Sequence, residues 1–130
     1  MALHTDLPIY KQSFELSKLI SQVVANMQKD HKFVLGRSLH EQCFDLVMGV
    51  YHANSSSSDR VGIIQGMREK VVAIELSMRL AVDLERMSRR HHAKAIKLTQ
   101  SIGRQLTGWK EHTEKRQQVG RQGGRSSVHR

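Results

Sequence analysis

Few residue patterns in this sequence could do chemistry. His40-Glu41-Gln42-Cys43-Phe44 begins like the His-Glu-x-x-His of helical zinc proteases. That motif works because two histidines one turn apart grip the metal while the glutamate takes a proton from water. Phe44 stands where the second histidine is needed, so the metal has no facing pair. Gly103 and Gly108 have the spacing of a phosphate-binding loop. Trp109 follows them in place of Lys-Ser/Thr, and the segment lies inside a helical pattern with no strand before it. His91 and His92 are adjacent, so on a helix their side chains diverge by about 100° and chelate poorly. Cys43, the one cysteine, falls on an apolar helix face and is expected to pack rather than react. No nucleophile, base and orienting group can be assembled. The expectation is a protein that is not an enzyme, with no resident metal, cofactor or small-molecule substrate.

Charge is more informative than chemistry. The chain has 130 residues and a formal net charge of +9. Residues 1–85 carry nine Lys/Arg against ten Asp/Glu, whereas residues 86–130 carry twelve against two, Glu111 and Glu114. All the excess positive charge therefore sits in the last third. A field polarised in this way favours a polyanion, nucleic acid before an anionic membrane surface. The plainer reading is a solubilising surface with a basic tail. No apolar run is long enough to span a bilayer, and the N-terminus lacks the basic-then-apolar order of a signal peptide. With a lone cysteine, these features point to the cytoplasm.

The elements that position these charges are helical throughout. Apolar residues recur at helical spacing, without the alternation of strands. The first helix is expected over about Pro8–Met27, capped by Asp6, with Ile9, Leu16, Leu19, Ile20, Val23, Val24 and Met27 on one face. The second runs over about Lys32–Ala53, burying Leu35, Leu39, Cys43, Leu46, Val47 and Val50. A serine-rich loop follows, and Ser58 or Asp59 caps a third helix to about Met87. Ile63, Met67, Val71, Ile74, Met78 and Ala81 form its stripe. The fourth starts near Ser88 and ends near His112, with His91, Ala95, Leu98, Ile102, Leu106 and Trp109 inward. Four helices with short connections predict an all-α, antiparallel up-down four-helix bundle over residues 1–112. Residues 113–130, rich in Gly, Gln, Ser and Arg, are expected to form a flexible basic tail.

Two helices hold more apolar surface than one core needs. Val72, Leu76, Leu80 and Met87 share a second face of helix three, and Phe44, Met48 and Tyr51 one of helix two. Such a surface marks an oligomer interface, unless the helix phases drift and the residues still reach the core. Between the two stripes of helix three, Arg68, Glu75, Arg79, Asp83 and Arg86 have the spacing of a solvated ion-pair ladder.

Helix four carries the basic face. Arg90, Lys94, Lys97 and Arg104 fall within about 80° of one another, away from the core stripe. Lys115 and Arg116 extend the line, Arg86 and Arg89 begin it, and Arg121, Arg125 and Arg130 follow in the tail. Rows of cations on a rigid helix suit backbone phosphates. Trp109 lies on the core face and is expected to pack. With few aromatics beside the cations, phosphate contact or shape readout of folded RNA is the natural mode.

Leu7-Pro8-Ile9-Tyr10-Lys11, Leu35-Gly36-Arg37-Ser38-Leu39, Tyr51-His52-Ala53-Asn54, Arg79-Leu80-Ala81-Val82-Asp83-Leu84 and Gly103-Arg104-Gln105-Leu106-Thr107-Gly108-Trp109-Lys110 occur in this order. Over about Leu7–Glu111 the set resembles the Avd proteins, the accessory variability determinants of diversity-generating retroelements. These are similar to the bundle proteins encoded in intervening sequences of large-subunit ribosomal RNA genes, a nucleic-acid-binding or structural class that is the alternative reading. The Avd resemblance implies a homopentameric ring of bundles. It also implies association with a reverse transcriptase and its template RNA, or DNA, and support of mutagenic copying without catalytic residues.

Overall fold

The structure, a computed structural model, describes residues 3–128 and the side chains of residues 3–120. Its long elements are α1 (Pro8–Ala25), α2 (Arg37–Ser55), α3 (Arg60–Asp83) and α4 (Arg89–Val128). There is no strand among the described residues. Each helix packs on its neighbour in the chain, and α4 packs back on α1. The helices thus stand in chain order around a square, as an up-down four-helix bundle.

The stripes read from periodicity form the core, except that Val47 and His91 are half-buried and lie outside it. Leu16 and Ile20 of α1, Leu39, Leu46 and Val50 of α2, Ile64, Ile74 and Met78 of α3, and Ile102 and Leu106 of α4 are fully buried. In α3 it is Ile64, not Ile63, that reaches the axis; Ile63 is half-buried beside it. Gly49 sets the distance between α2 and α3: a Cβ there would stand 2.8 Å from Met67 Cγ. Polar ties join the flanks. Gln12 Oε1 accepts from Ser101 Oγ (2.8 Å) and Gln105 Nε2 (2.6 Å), linking α1 to α4. Thr99 Oγ1 donates to Glu75 Oε2 (2.8 Å), linking α4 to α3.

The helix ends depart from expectation for local reasons. Leu7, not Asp6, occupies the N-cap of α1, and Pro8 takes the first turn, where its missing N–H costs nothing. Asp6 belongs instead to a 3-10 turn, His4–Asp6. Before α2 come a short turn, Lys29–His31, and a wide π turn, Lys32–Gly36. Gly36 lies so close to α1 that a Cβ would stand 2.8 Å from Val24 Cγ1.

The third helix stops at Asp83, four residues short of the expected end. Glu85 adopts a left-handed φ of 58°. Arg86 N–H then donates to Ala81 O (2.7 Å) and Glu85 N–H to Val82 O (3.0 Å), the Schellman pattern that satisfies a helix's last carbonyls. The turn drives Met87 into the core, 5% exposed, so Met87 is not on the outer face expected for it. Ser88 Oγ accepts His91 N–H (3.1 Å) and caps α4. That helix runs without a break to Val128, well past His112, and Thr113 is buried. Residues 111–118 include Glu, Lys, Arg and Gln, which form helix by propensity without leaving an apolar period.

Two outcomes follow. Glycine suits the left-handed position that Glu85 holds at a steric cost, so Glu85→Gly should stabilise the bundle by about 1 kcal/mol in urea unfolding. Cys43 is 1% exposed, and burial pushes its thiol from an ordinary 9.0 up to about 12. As pH rises the unfolded chain releases this proton first. The contribution is fully present below pH about 9 and declines toward 12, by up to about 1.4 kcal/mol per pH unit. Cys43→Ala should remove that part of the alkaline decline, read as the difference between the two stability-pH curves.

Candidate nucleic-acid and assembly surfaces

The exposed cations of α4 follow from its phase. Ala95, Thr99, Ile102 and Leu106 face the axis, which turns Arg90, Lys94, Lys97 and Arg104 to solvent. They do not converge on one groove. Lys94 and Lys97 border the groove between α1 and α4, opposite Lys18 and Glu15. Arg104 borders the groove between α3 and α4 with Arg68, above Glu69 and Glu75. Arg86 and Arg89 line a cleft with His91 where α3 turns into α4 beside the end of α1. Lys115 and Arg116 are exposed farther along α4. The side chains of Arg121, Arg125 and Arg130 lie outside the described residues.

Arg86 is half-buried. Its Nε donates to His31 Nδ1 (3.1 Å), tying the α3–α4 turn to the connection before α2. His31 N–H in turn donates to Asp30 Oδ1 (2.9 Å). That backbone hydrogen bond, with the nearby imidazole, holds the Asp30 carboxyl below its usual range.

The expected ion-pair ladder on α3 has a single rung. Arg79 Nε lies 3.6 Å from Asp83 Oδ1, both exposed. Glu75 instead accepts the Thr99 hydroxyl, Arg68 donates to Gln65, and Arg86 turns to His31. Exposed pairs of this kind contribute about 0.2–1 kcal/mol, so nothing in the fold leans on it.

The six outer apolar residues are exposed, led by Leu76 at 67% and Phe44 at 61%. They make two patches. Tyr51 packs edge-on against His4, which packs edge-on against Tyr10, and Tyr10 stacks on Phe14. The Phe44–Met48–Tyr51 patch of α2 is thereby continuous with an aromatic row on α1. On α3, Val72 borders the α3/α4 groove and Leu76 and Leu80 follow it along the helix. With the helices in square order, one patch belongs to the α1/α2 side and the other to α3 and its α4 side.

Several residues that shape these surfaces leave no periodic signal in the sequence. Arg60 donates from Nε to Ala53 O (2.7 Å) and from Nη2 to Asn54 O (3.2 Å), closing the end of α2. Its guanidinium lies 6.0 Å from the Trp109 ring centre, so one cation joins α2, α3 and α4. Trp109 packs against the core as expected. Lys18, Phe14, Phe33 and Val34 had no periodic partner to draw notice to them. Of the motif residues weighed for chemistry, Glu41 pairs with Arg37 (3.1 Å), His40 is exposed and Cys43 is in the core. Among the described residues, no three His, Cys, Asp or Glu side chains are grouped so as to hold a metal ion. No helix among them is long and apolar enough to cross a membrane.

A comparison with curated proteins finds no match. The bundle, with its outward cationic helix and its two apolar patches, coincides with the segment that a protein-family comparison identifies. The family described as bAvd-like matches residues 8–113, and the chain belongs to that family.

Proposed function

We propose that this chain is a non-catalytic accessory protein of a diversity-generating retroelement. In this reading it binds template RNA, or the DNA copied from it, and the partner reverse transcriptase, and supports mutagenic DNA synthesis in the cytoplasm. The observation that carries the reading is the outward cationic face of α4 on a bundle of the bAvd-like family. The net charge of residues 86–130 is +10, from twelve cations and two acids. Arg89, Arg90, Lys94, Lys97, Arg104, Lys115 and Arg116 are solvent-exposed. Cations fixed along a helix release the counterions of a phosphate backbone, which gives affinity without a sequence code.

Assembly belongs to the same reading. Two different apolar patches on separate sides of one bundle suit a heterologous contact, in which one copy's α2 patch meets the next copy's α3 patch. Such contacts generate a closed ring when the rotation closes. The expected ring is a homopentamer, and its formation repeats the cationic face in every copy.

Two measurements test this. Charge reversal at Arg90, Lys94, Lys97 and Arg104 should weaken RNA binding and reduce the slope of log affinity against log salt by about 0.7–0.9 per cation removed. The far-ultraviolet circular dichroism should stay unchanged. Retained affinity, or an affinity insensitive to salt, overturns the assigned surface. Light scattering should give several times the 14.9 kDa chain mass, falling to one chain mass in Leu76→Asp/Leu80→Asp. A wild-type protein of single-chain mass at micromolar concentration overturns the ring.

A further inference from the structure

We propose that Phe33 is a stacking platform for an unpaired base, so that the bundle end carrying it takes single-stranded nucleic acid. This rests on the reading of the chain as a nucleic-acid-binding protein and assigns one class of strand to one place on it.

Val34 and Phe33 are the most exposed large apolar side chains among the described residues, at 74% and 73%. Their position is fixed by what surrounds them. Gly36 is pressed against Val24 and Met27, and Leu35 packs on the core. The π turn Lys32–Gly36 joins this inward pair to the preceding short turn and leaves Phe33 and Val34 outside. Wide turns of this kind occur preferentially at functional positions. Neither side chain adds to the core of the bundle.

The neighbourhood is cationic. Lys32 opens the π turn, and Lys29 lies in the short turn before it. The Arg86–His31 hydrogen bond brings the α3–α4 turn to the same end, and with it Arg86, Arg89 and Arg90. Seven Lys/Arg at this end, counting Arg37 and Arg79, outnumber four carboxylates. Asp30 accepts the His31 N–H, Glu41 pairs with Arg37, and Asp83 pairs with Arg79, with Glu85 the fourth acid. An exposed aromatic ring at a cation-rich end of the bundle is the composition that holds single strands: phosphates track the charge while a base lies on the ring. A duplex keeps its bases stacked inside and offers the ring nothing. Charge complementarity therefore favours a single strand over an apolar protein surface as the occupant.

The test uses the full chain and fluorescently labelled RNA of about 12 nucleotides, as an unstructured strand and as a duplex, in anisotropy titrations. Phe33→Ala should weaken single-strand binding about tenfold and leave duplex binding and the salt slope as in wild type, since the phosphate contacts remain. Phe33→Tyr should restore the single-strand affinity. Single-strand affinity unchanged in Phe33→Ala overturns the proposal while leaving the nucleic-acid reading standing. So does an equal loss on both probes. A fall in light-scattering mass for Phe33→Ala also overturns it and marks the ring as a seat for a second copy. A wild-type chain that binds neither probe overturns the underlying reading as well.

Discussion

A helix in a square of four can bury only the stripe that faces the axis, with part of each flank. Everything else in this molecule depends on that limit. On α3 the stripe is spent on Ile64, Met67, Val71, Ile74, Met78 and Ala81, so Val72, Leu76 and Leu80 have nowhere inside to go. On α4 the small or branched residues Ala95, Thr99 and Ile102 face inward, and the long cations must then face out. The same limit divides the exterior into surfaces of different character. The aromatic patch lies along α1 and α2, the aliphatic patch along α3, and the row of cations along α4. The fold does not need that division for its own stability.

Much of this was legible because amphipathic periodicity reports the axis directly. Cys43, Met67, Met78 and Leu106 sit where the spacing put them. The exposed sets Phe44–Met48–Tyr51 and Val72–Leu76–Leu80 stand out in the sequence as a surplus for the same reason. What escaped notice has local causes. Glu85 bends the chain through a left-handed φ that sequence associates with glycine, so the end of α3 gave no signal and Met87 was assigned to the wrong side. The π turn before α2 adds a residue to the period and hides where Phe33 points. Helical-wheel angles put Lys94, Lys97 and Arg104 together, yet the first two border one groove and the third another. A spread of tens of degrees is enough to decide which neighbouring helix a long side chain meets. Arg60 was invisible because its partners, the carbonyls of Ala53 and Asn54 and the face of Trp109, come together only in the folded state.

The α3–α4 turn shows how structural and functional demands share a few residues. Glu85 turns the backbone, Arg86 ties the turn to His31, Met87 anchors it in the core, and Ser88 starts the next helix. Four consecutive residues thus fix where Arg89 and Arg90 stand relative to Lys29 and Lys32. A cationic end assembled from two separate connections is held by the backbone hydrogen bonds of the turn, one buried methionine and the Arg86–His31 side-chain bond.

The length of α4 has a consequence of its own. At about 1.5 Å per residue, its 40 residues reach about 60 Å, whereas the 24 residues of α3 reach about 36 Å. The surplus leaves the bundle as a stem carrying Lys115 and Arg116. In the proposed ring the copies would be related by rotation, so every stem would leave from the same end of its bundle. On that proposal, a nucleic-acid strand held by one stem would be confined within reach of the others, with later contacts at the effective concentration set by the spacing of the arms. Weak individual contacts would then add into retention while each stayed quick to release.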